Sequence, residues 1–349
     1  MTNHHKYSGI LIAALLFFTG GHSNATSWRI NNNANRQAHF TDINAAMSSS
    51  KVQEGDTLYL DPGCTLTTAQ TVSKRVTIIG TGYFLPEGTY QPATVNGRVT
   101  IKAAGTKLEG LRITKTNDSR ITISANNVVV ERCHLWDVFW SGTGENATIR
   151  QCYFTGRIVG PGISSNNAMG CLIENNIIYY SYTSASYSAL SDLKNVTIRN
   201  NYVRCMTSNT TNLINNLANS TIVNNIFIQM NDKNKIRGTL NDCIFAHNVM
   251  SCEEGNYTAF PDNLSLGVND EAAVFALEGT NDQLYQLKDD SPAKGYAEDA
   301  GDCGPYGGAH PYVPSGYPFG MPLFVTSSSG FRATDGKVSF SNQVTIQKQ

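Results

Sequence analysis

Charge is scarce in this chain and neither sign prevails: Asp, Glu, Lys and Arg make up 15% of the residues, with 26 basic against 27 acidic. A nucleic-acid surface calls for a basic stripe, which this balance argues against. The overall charge gives no strong pull on an acidic polymer either. Apolar runs are equally scarce. None reaches the roughly 20 residues that a membrane-spanning helix needs. Phosphate-binding glycine loops, zinc-ligand spacings and serine nucleophile elbows are missing too, so no metal and no cofactor is expected.

The one concentrated apolar stretch is Gly9 to Phe18, preceded by Lys6 and followed by the small residues of Ser23-Asn24-Ala25. That order of charge, apolar core and small residues predicts a secretory signal peptide over 1–25. The expectation is an exported protein that begins near Thr26, placed outside the cell, at its surface or in the periplasm. Without Lys6 the remaining 324 residues (349 less 25) carry 25 basic and 27 acidic side chains.

What the chain has in abundance is a repeated phrase, most complete in Asn195-Val196-Thr197-Ile198-Arg199-Asn200-Asn201-Tyr202-Val203. Aligned on Asn201, its copies place Leu111, Cys133, Cys152, Asn176, Asn201, Asn225 and Asn248 in one column, at steps of 22, 19, 24, 25, 24 and 23 residues. Three residues before the column stand Leu108, Val130, Ile149, Ile173, Ile198, Ile222 and Phe245. Two residues after it stand Ile113, Leu135, Phe154, Ile178, Val203, Phe227 and Met250. Apolar residues alternate with polar ones around Ile198, as in a half-buried strand. Each copy therefore reads as strand, tight corner, strand. A period near 23 is that of a solenoid of about ten coils, whose core forms by stacking. Asn suits the corner because it tolerates a left-handed backbone and, when buried, can bond its counterpart one coil away as an Asn ladder.

This register also sorts the eight cysteines. Cys133 and Cys152 share the column on adjacent coils, about 4.8 Å apart, within disulfide range. Cys205 and Cys252 share another column two coils apart, about 9.6 Å and too far. Cys171 and Cys243 are three coils apart, and Cys64 and Cys303 lie near opposite ends. Buried thiols used as small core residues and a 133–152 bridge both fit.

Ahead of the coils, Thr41 is placed to cap a short helix with Ile43, Ala46 and Met47 on one side, a lid for the open end of the array. After Met250 the register loosens. The expected domains are the signal peptide, a β-helix with its N-terminal cap over 26–312, and a Pro/Gly-rich linker and tail over 313–349. In that tail Lys337 to Phe340 and Gln343 to Ile346 alternate like two edge strands.

Three features together carry a resemblance: the N-terminal helix followed by Gly55-Asp56-Thr57-Leu58-Tyr59-Leu60-Asp61-Pro62-Gly63, the Asn-cornered coils, and Ser291-Pro292-Ala293 followed by Asp302-Cys303-Gly304-Pro305-Tyr306-Gly307-Gly308. Over roughly 36–312 the chain resembles the right-handed parallel β-helix proteins of the pectate-lyase-like superfamily, and is especially similar to exported β-helix proteins of Gram-negative gut bacteria. The resemblance implies an all-β fold with three strands per coil, the ladder lying between the second and third. It leaves activity open, because this scaffold carries lyases, hydrolases, esterases, adhesins and epimerases.

It also implies where chemistry would lie: on the outward side chains of each first strand, which begins about thirteen residues before the corner. Counted so, one row holds Arg98, Arg120, Phe139, Ser188, Asn212 and Lys235, and its neighbour holds Thr100, Thr122, Ser141, Leu190, Ile214 and Arg237. Neither row contains the paired carboxylates of a glycoside hydrolase or the acidic oxygens of a calcium site. The candidate cluster is Arg120, His134 and Tyr187 as catalytic groups, with Trp136, Asp137, Trp140, Glu145 and Arg157 binding substrate. For Trp140 and Trp136 packing in the core and over a corner is the competing reading; for Arg120 and His134 it is an ordinary place on the solenoid surface. The expected function is glycan binding, or a surface or adhesive role, without catalysis; the alternative is a polysaccharide-processing enzyme, a metal-independent lyase rather than a hydrolase. The expected partner is a polysaccharide or cell-surface glycan.

Overall fold

A computed structural model describes residues 25–85, 91–114, 118–142, 144–165, 169–181, 187–205, 213–229, 239–251, 262–267, 270–318, 323–334 and 337–347. The expected signal peptide, all but its last residue Ala25, and Asn212, Lys235, Arg237 and Cys252 lie outside them.

Each coil gives one strand to each of three parallel sheets, making a right-handed parallel β-helix. In coil order, the first sheet has eight strands, from Gln70–Val72 to Leu240–Asn241. The second has ten, from Ser27–Ile30 to Ile244–Ala246, and the third ten, from Thr65–Leu66 to Leu264–Ser265. The two apolar columns stack as their spacing demands: Val130 pairs with Leu108 and Ile149, and Leu135 with Ile113 and Phe154. All six are fully buried in one continuous core.

The corner between the second and third sheets takes two residues, and the two uses of asparagine fall on different ones. The first is left-handed in seven successive coils: Gly110, Arg132, Gln151, Asn175, Asn200, Asn224 and His247 all have φ between 52° and 66°. The second points inward. The Oδ1 of Asn201 accepts from the backbone N and the Nδ2 of Asn176, at 3.0 and 2.9 Å, and Asn201 in turn donates from both nitrogens to Asn225 at 2.9 Å. The chain of amides runs on through Asn248 to Asn263, one coil beyond the last copy legible in sequence.

Past the final coil the chain turns back. Residues 270–318 form a strap that runs in reverse over the third sheet, burying Val274, Phe275, Tyr285, Cys303 and Tyr312 against Tyr153, Tyr202 and Ile226 in a second apolar cluster. The left-handed corner residues clasp it. Asn224 Oδ1 accepts from Glu298 N, Asn200 donates to Asp302 O, Asn175 to Pro305 O and Gly307 O, Gln151 to Pro311 O and Arg132 to Tyr317 O. A left-handed backbone costs a residue with a side chain about 1–2 kcal/mol. At Arg132 and Gln151 it sets a long side chain in reach of the strap.

On the outer side of the second sheet, Glu109, Glu131, Arg150, Glu174 and Arg199 stand in one row. The three glutamates are 3% exposed or less. Lys107 bonds both Glu109 (2.8 Å) and Glu131 (2.6 Å), Arg150 bonds Glu131 (2.6 Å), and Arg199 bonds Glu174 (2.8 Å).

At the N-terminus the helix Ile43–Ser48 buries Ile43, Ala46 and Met47, but its cap is Asp42, which accepts from Ala45 N at 2.7 Å, and not Thr41. At the other end the two expected edge strands are one, Lys337–Gln347, paired antiparallel with Leu323–Thr334. Cys64, Cys133, Cys152, Cys171, Cys205, Cys243 and Cys303 are free thiols, all but Cys243 buried. Among the described residues no helix is long and apolar enough to cross a membrane.

Candidate functional site

The first sheet corrects the rows read from sequence. Arg120 pairs with Arg98 as expected, but its partner in the next coil is Asp137, while Phe139 pairs with Thr122. Counting thirteen residues back from the corner fails here because the turn from the first strand to the second is two residues longer: seven residues separate Trp140 from Thr148, where five separate Ile123 from Val129. Further on, Leu190 and Ile214 pair in line with Ile158 and are fully buried, whereas Ser191 and Asn215 follow Val159 in the outward row. The outward face therefore does carry carboxylates, Asp137 and Asp192, where the counted rows had none.

Arg120, Asp137, Arg157 and Tyr187 come together on this face with Arg98, Asp118 and Phe139. Asp118, from the preceding loop, bonds Arg98 at 2.5 Å and Arg120 at 3.2 Å. Asp137 accepts from the backbone N of Arg157 at 2.9 Å, and its second oxygen lies 3.7 Å from Arg157 Nε. Gly156 makes this approach possible: a Cβ there would stand 2.2 Å from Trp136 O and 2.3 Å from Asp137 Oδ1.

Cations and rings alternate across the cluster. Phe139 lies between Arg120, whose Cζ is 5.2 Å from the ring centre, and Arg157, at 5.0 Å; Arg157 also covers the ring of Tyr187 at 3.8 Å. Such contacts hold a guanidinium in place without using up all its N–H donors. Three Arg against two Asp leave a formal excess of one positive charge. Planar cations beside ring faces are suited to carboxylates on a saccharide, with the rings meeting its C–H faces.

The other candidates lie elsewhere. His134 is on the third sheet, packed within 5.2–5.5 Å of Tyr83, Phe84 and Tyr153. Burial, helped by the charge of Arg112, pushes its pKa down to about 3, and neither ring nitrogen has a hydrogen-bond partner. Trp136 is buried at the corner between the third and first sheets. Trp140 pairs with Ile123 and points into the core, where its Nε1 donates to Gly144 O at 3.1 Å. Glu145 is half-buried in the turn leading to the second sheet. Aligning strands by their inward residues, Ile121 with Val138, would have brought Asp137 beside Arg120.

Among the described residues no three His, Cys, Asp or Glu side chains are grouped to hold a metal ion. No family model and no curated protein matches the chain. Among solved structures, it is similar to pectate lyase Pel9A over 82% of this chain and 97% of that one, at 13% identity and a TM-score of 0.48. It is also similar to the GH136 lacto-N-biosidase of Eubacterium ramulus over 65% of this chain and 57% of that one, at 9% identity and a TM-score of 0.42. The right-handed parallel β-helix itself is established by the chain's own three sheets.

Proposed function

We propose that the protein is an exported β-helix that binds an acidic glycan along its first sheet, as a recognition or adhesive module. The observation that carries this reading is the placement of Phe139 between Arg120 and Arg157, with Tyr187 continuing the stack. Strands of a parallel sheet lie about 4.8 Å apart, so Arg98, Arg120 and Arg157 spread over three such steps, about 14 Å. That arrangement suits several units of an extended polysaccharide better than one small anion. The signal-like pattern of the first 25 residues supports export.

The test is calorimetric titration with acidic and neutral polysaccharides, using the wild-type protein, Arg120→Ala and Arg157→Ala. Binding of acidic chains that both substitutions weaken supports the reading, whereas indifference of both variants removes it. Following ultraviolet absorbance in the same mixtures tests catalysis: growth of an unsaturated uronate product would make the face a lyase site.

A further inference from the structure

On the rungs of the first sheet up to Val159, one outward residue stands between inward neighbours. The next two rungs have two: Ser191 and Asp192 between the buried Leu190 and Leu193, and Asn215 and Asn216 between the buried Ile214 and Leu217. The second of each pair is left-handed, Asp192 at φ 60° and Asn216 at φ 53°. Matched bulges of this kind turn an extra side chain toward solvent, and strained backbone persists where its surroundings enforce it. Here Gly160 leaves room for the bulge, since a Cβ on it would lie 2.1 Å from Asp192 O.

The extra side chain is a carboxylate placed differently from the others on this face. Asp118 and Asp137 lie against arginines. Among the described residues the hydrogen-bond donors to Asp192 are neutral, Asn216 Nδ2 at 2.5 Å and Ser191 Oγ at 3.0 Å. Lys194, the nearest cation on its own strand, follows the inward Leu193. Val159 pairs with Ser191, so one strand spacing separates the rung of Arg157 from that of Asp192. Among the described residues, a polysaccharide lying along the face would thus pass from a cationic stretch onto a stretch of one carboxylate with amides and hydroxyls.

We infer that the face selects a mixed polysaccharide, with acidic sugars over Arg98 to Arg157 and a neutral sugar over Asp192 and Asn216, and that it rejects an unbroken run of uronates; this rests on the acidic-glycan reading above. A uronate on the Asp192 rung meets a like charge, whereas a neutral sugar brings hydroxyls that a carboxylate and an amide can bond.

The experiment compares size-matched oligosaccharides, one series of uronates alone and one in which uronates alternate with neutral sugars, titrated into wild type, Asp192→Asn and Arg157→Ala. Asn already occupies the matching bulge position at 216, so Asp192→Asn keeps the backbone, and a thermal melt checks that it does. The wild type binds the mixed series about tenfold more tightly, and Asp192→Asn closes the gap by gaining affinity for uronates. Equal or tighter wild-type binding of pure uronates, or an unchanged preference in Asp192→Asn, overturns the inference. If the wild type binds neither series, or Arg157→Ala loses nothing, the arginine reading itself falls and the inference with it.

Discussion

Asn200 and Asn201 are adjacent in the chain and serve opposite sides of it. Asn200, left-handed at φ 53°, sends its amide out to Asp302 O in the strap, while Asn201 is fully buried and bonds the coils before and after it. Replacing Asn201 by Ala strands the amide of Asn176 and the carbonyl of Ile173 in the interior, so a loss of about 3 kcal/mol is expected. Asn200→Gly keeps the left-handed corner and gives up mainly one part-buried bond to a strap carbonyl, at about 1 kcal/mol. Denaturant unfolding of both variants checks the contrast, and equal losses would refute the division of labour.

The same pair shows what was legible in the sequence. The inward column and its apolar neighbours recur because every coil meets the same core, so their spacing yielded coil number and the register of the second and third sheets. First-sheet rows were misread because the span from first strand to corner changes between coils, thirteen residues from Arg120 to Cys133 but fifteen from Asp137 to Cys152. The strap left no periodic trace at all: its partners, such as Asn175 with Pro305 and Gly307, are over a hundred residues apart. Nor did the row of Glu109, Glu131 and Glu174 stand out, since outward charges on a strand look solvated until something covers them.

His134 makes stability depend on pH. Its folded pKa of about 3 lies below the ordinary 6.5, so the unfolded chain takes up its proton first on acidification. Its contribution is complete above pH 6.5 and is lost as pH falls toward 3, by about 2 kcal/mol at pH 5. His134→Phe, in a surround of Tyr83, Phe84 and Tyr153, removes this loss. Melting temperatures of wild type and variant should diverge below pH 6.5; parallel curves would mean that the imidazole reaches water.

Glu131 acts in a lower range. Burial pushes its carboxyl up, but the hydrogen bonds from Lys107 and Arg150 and their charges outweigh that and hold it below the usual carboxylate range. Its stabilising share is present above the ordinary value of 4.5 and disappears as pH falls through the depressed one. Glu131→Gln is expected to cost about 2 kcal/mol at neutral pH, less than an isolated buried pair, because Lys107 retains Glu109. The gap between variant and wild type should narrow below pH 4.5. A gap independent of pH would assign the loss to packing.

Arg157→Lys separates charge from shape at the proposed glycan face. Lysine keeps the positive charge within reach of Asp137, so a site working by charge alone would keep most of its affinity. The guanidinium of Arg157, however, sits over the Tyr187 ring and beside Phe139, and a planar fork can bond both oxygens of a carboxylate while it stays in contact with a ring. An ammonium group cannot do both. The expected result is about a tenfold loss of affinity for an acidic oligosaccharide, approaching that of Arg157→Ala. Raising salt should weaken wild type and Lys variant in parallel, since both carry the same charge. If the Lys variant binds as wild type does, the aromatic stack merely supports the surface, and the acidic glycan is held by net charge.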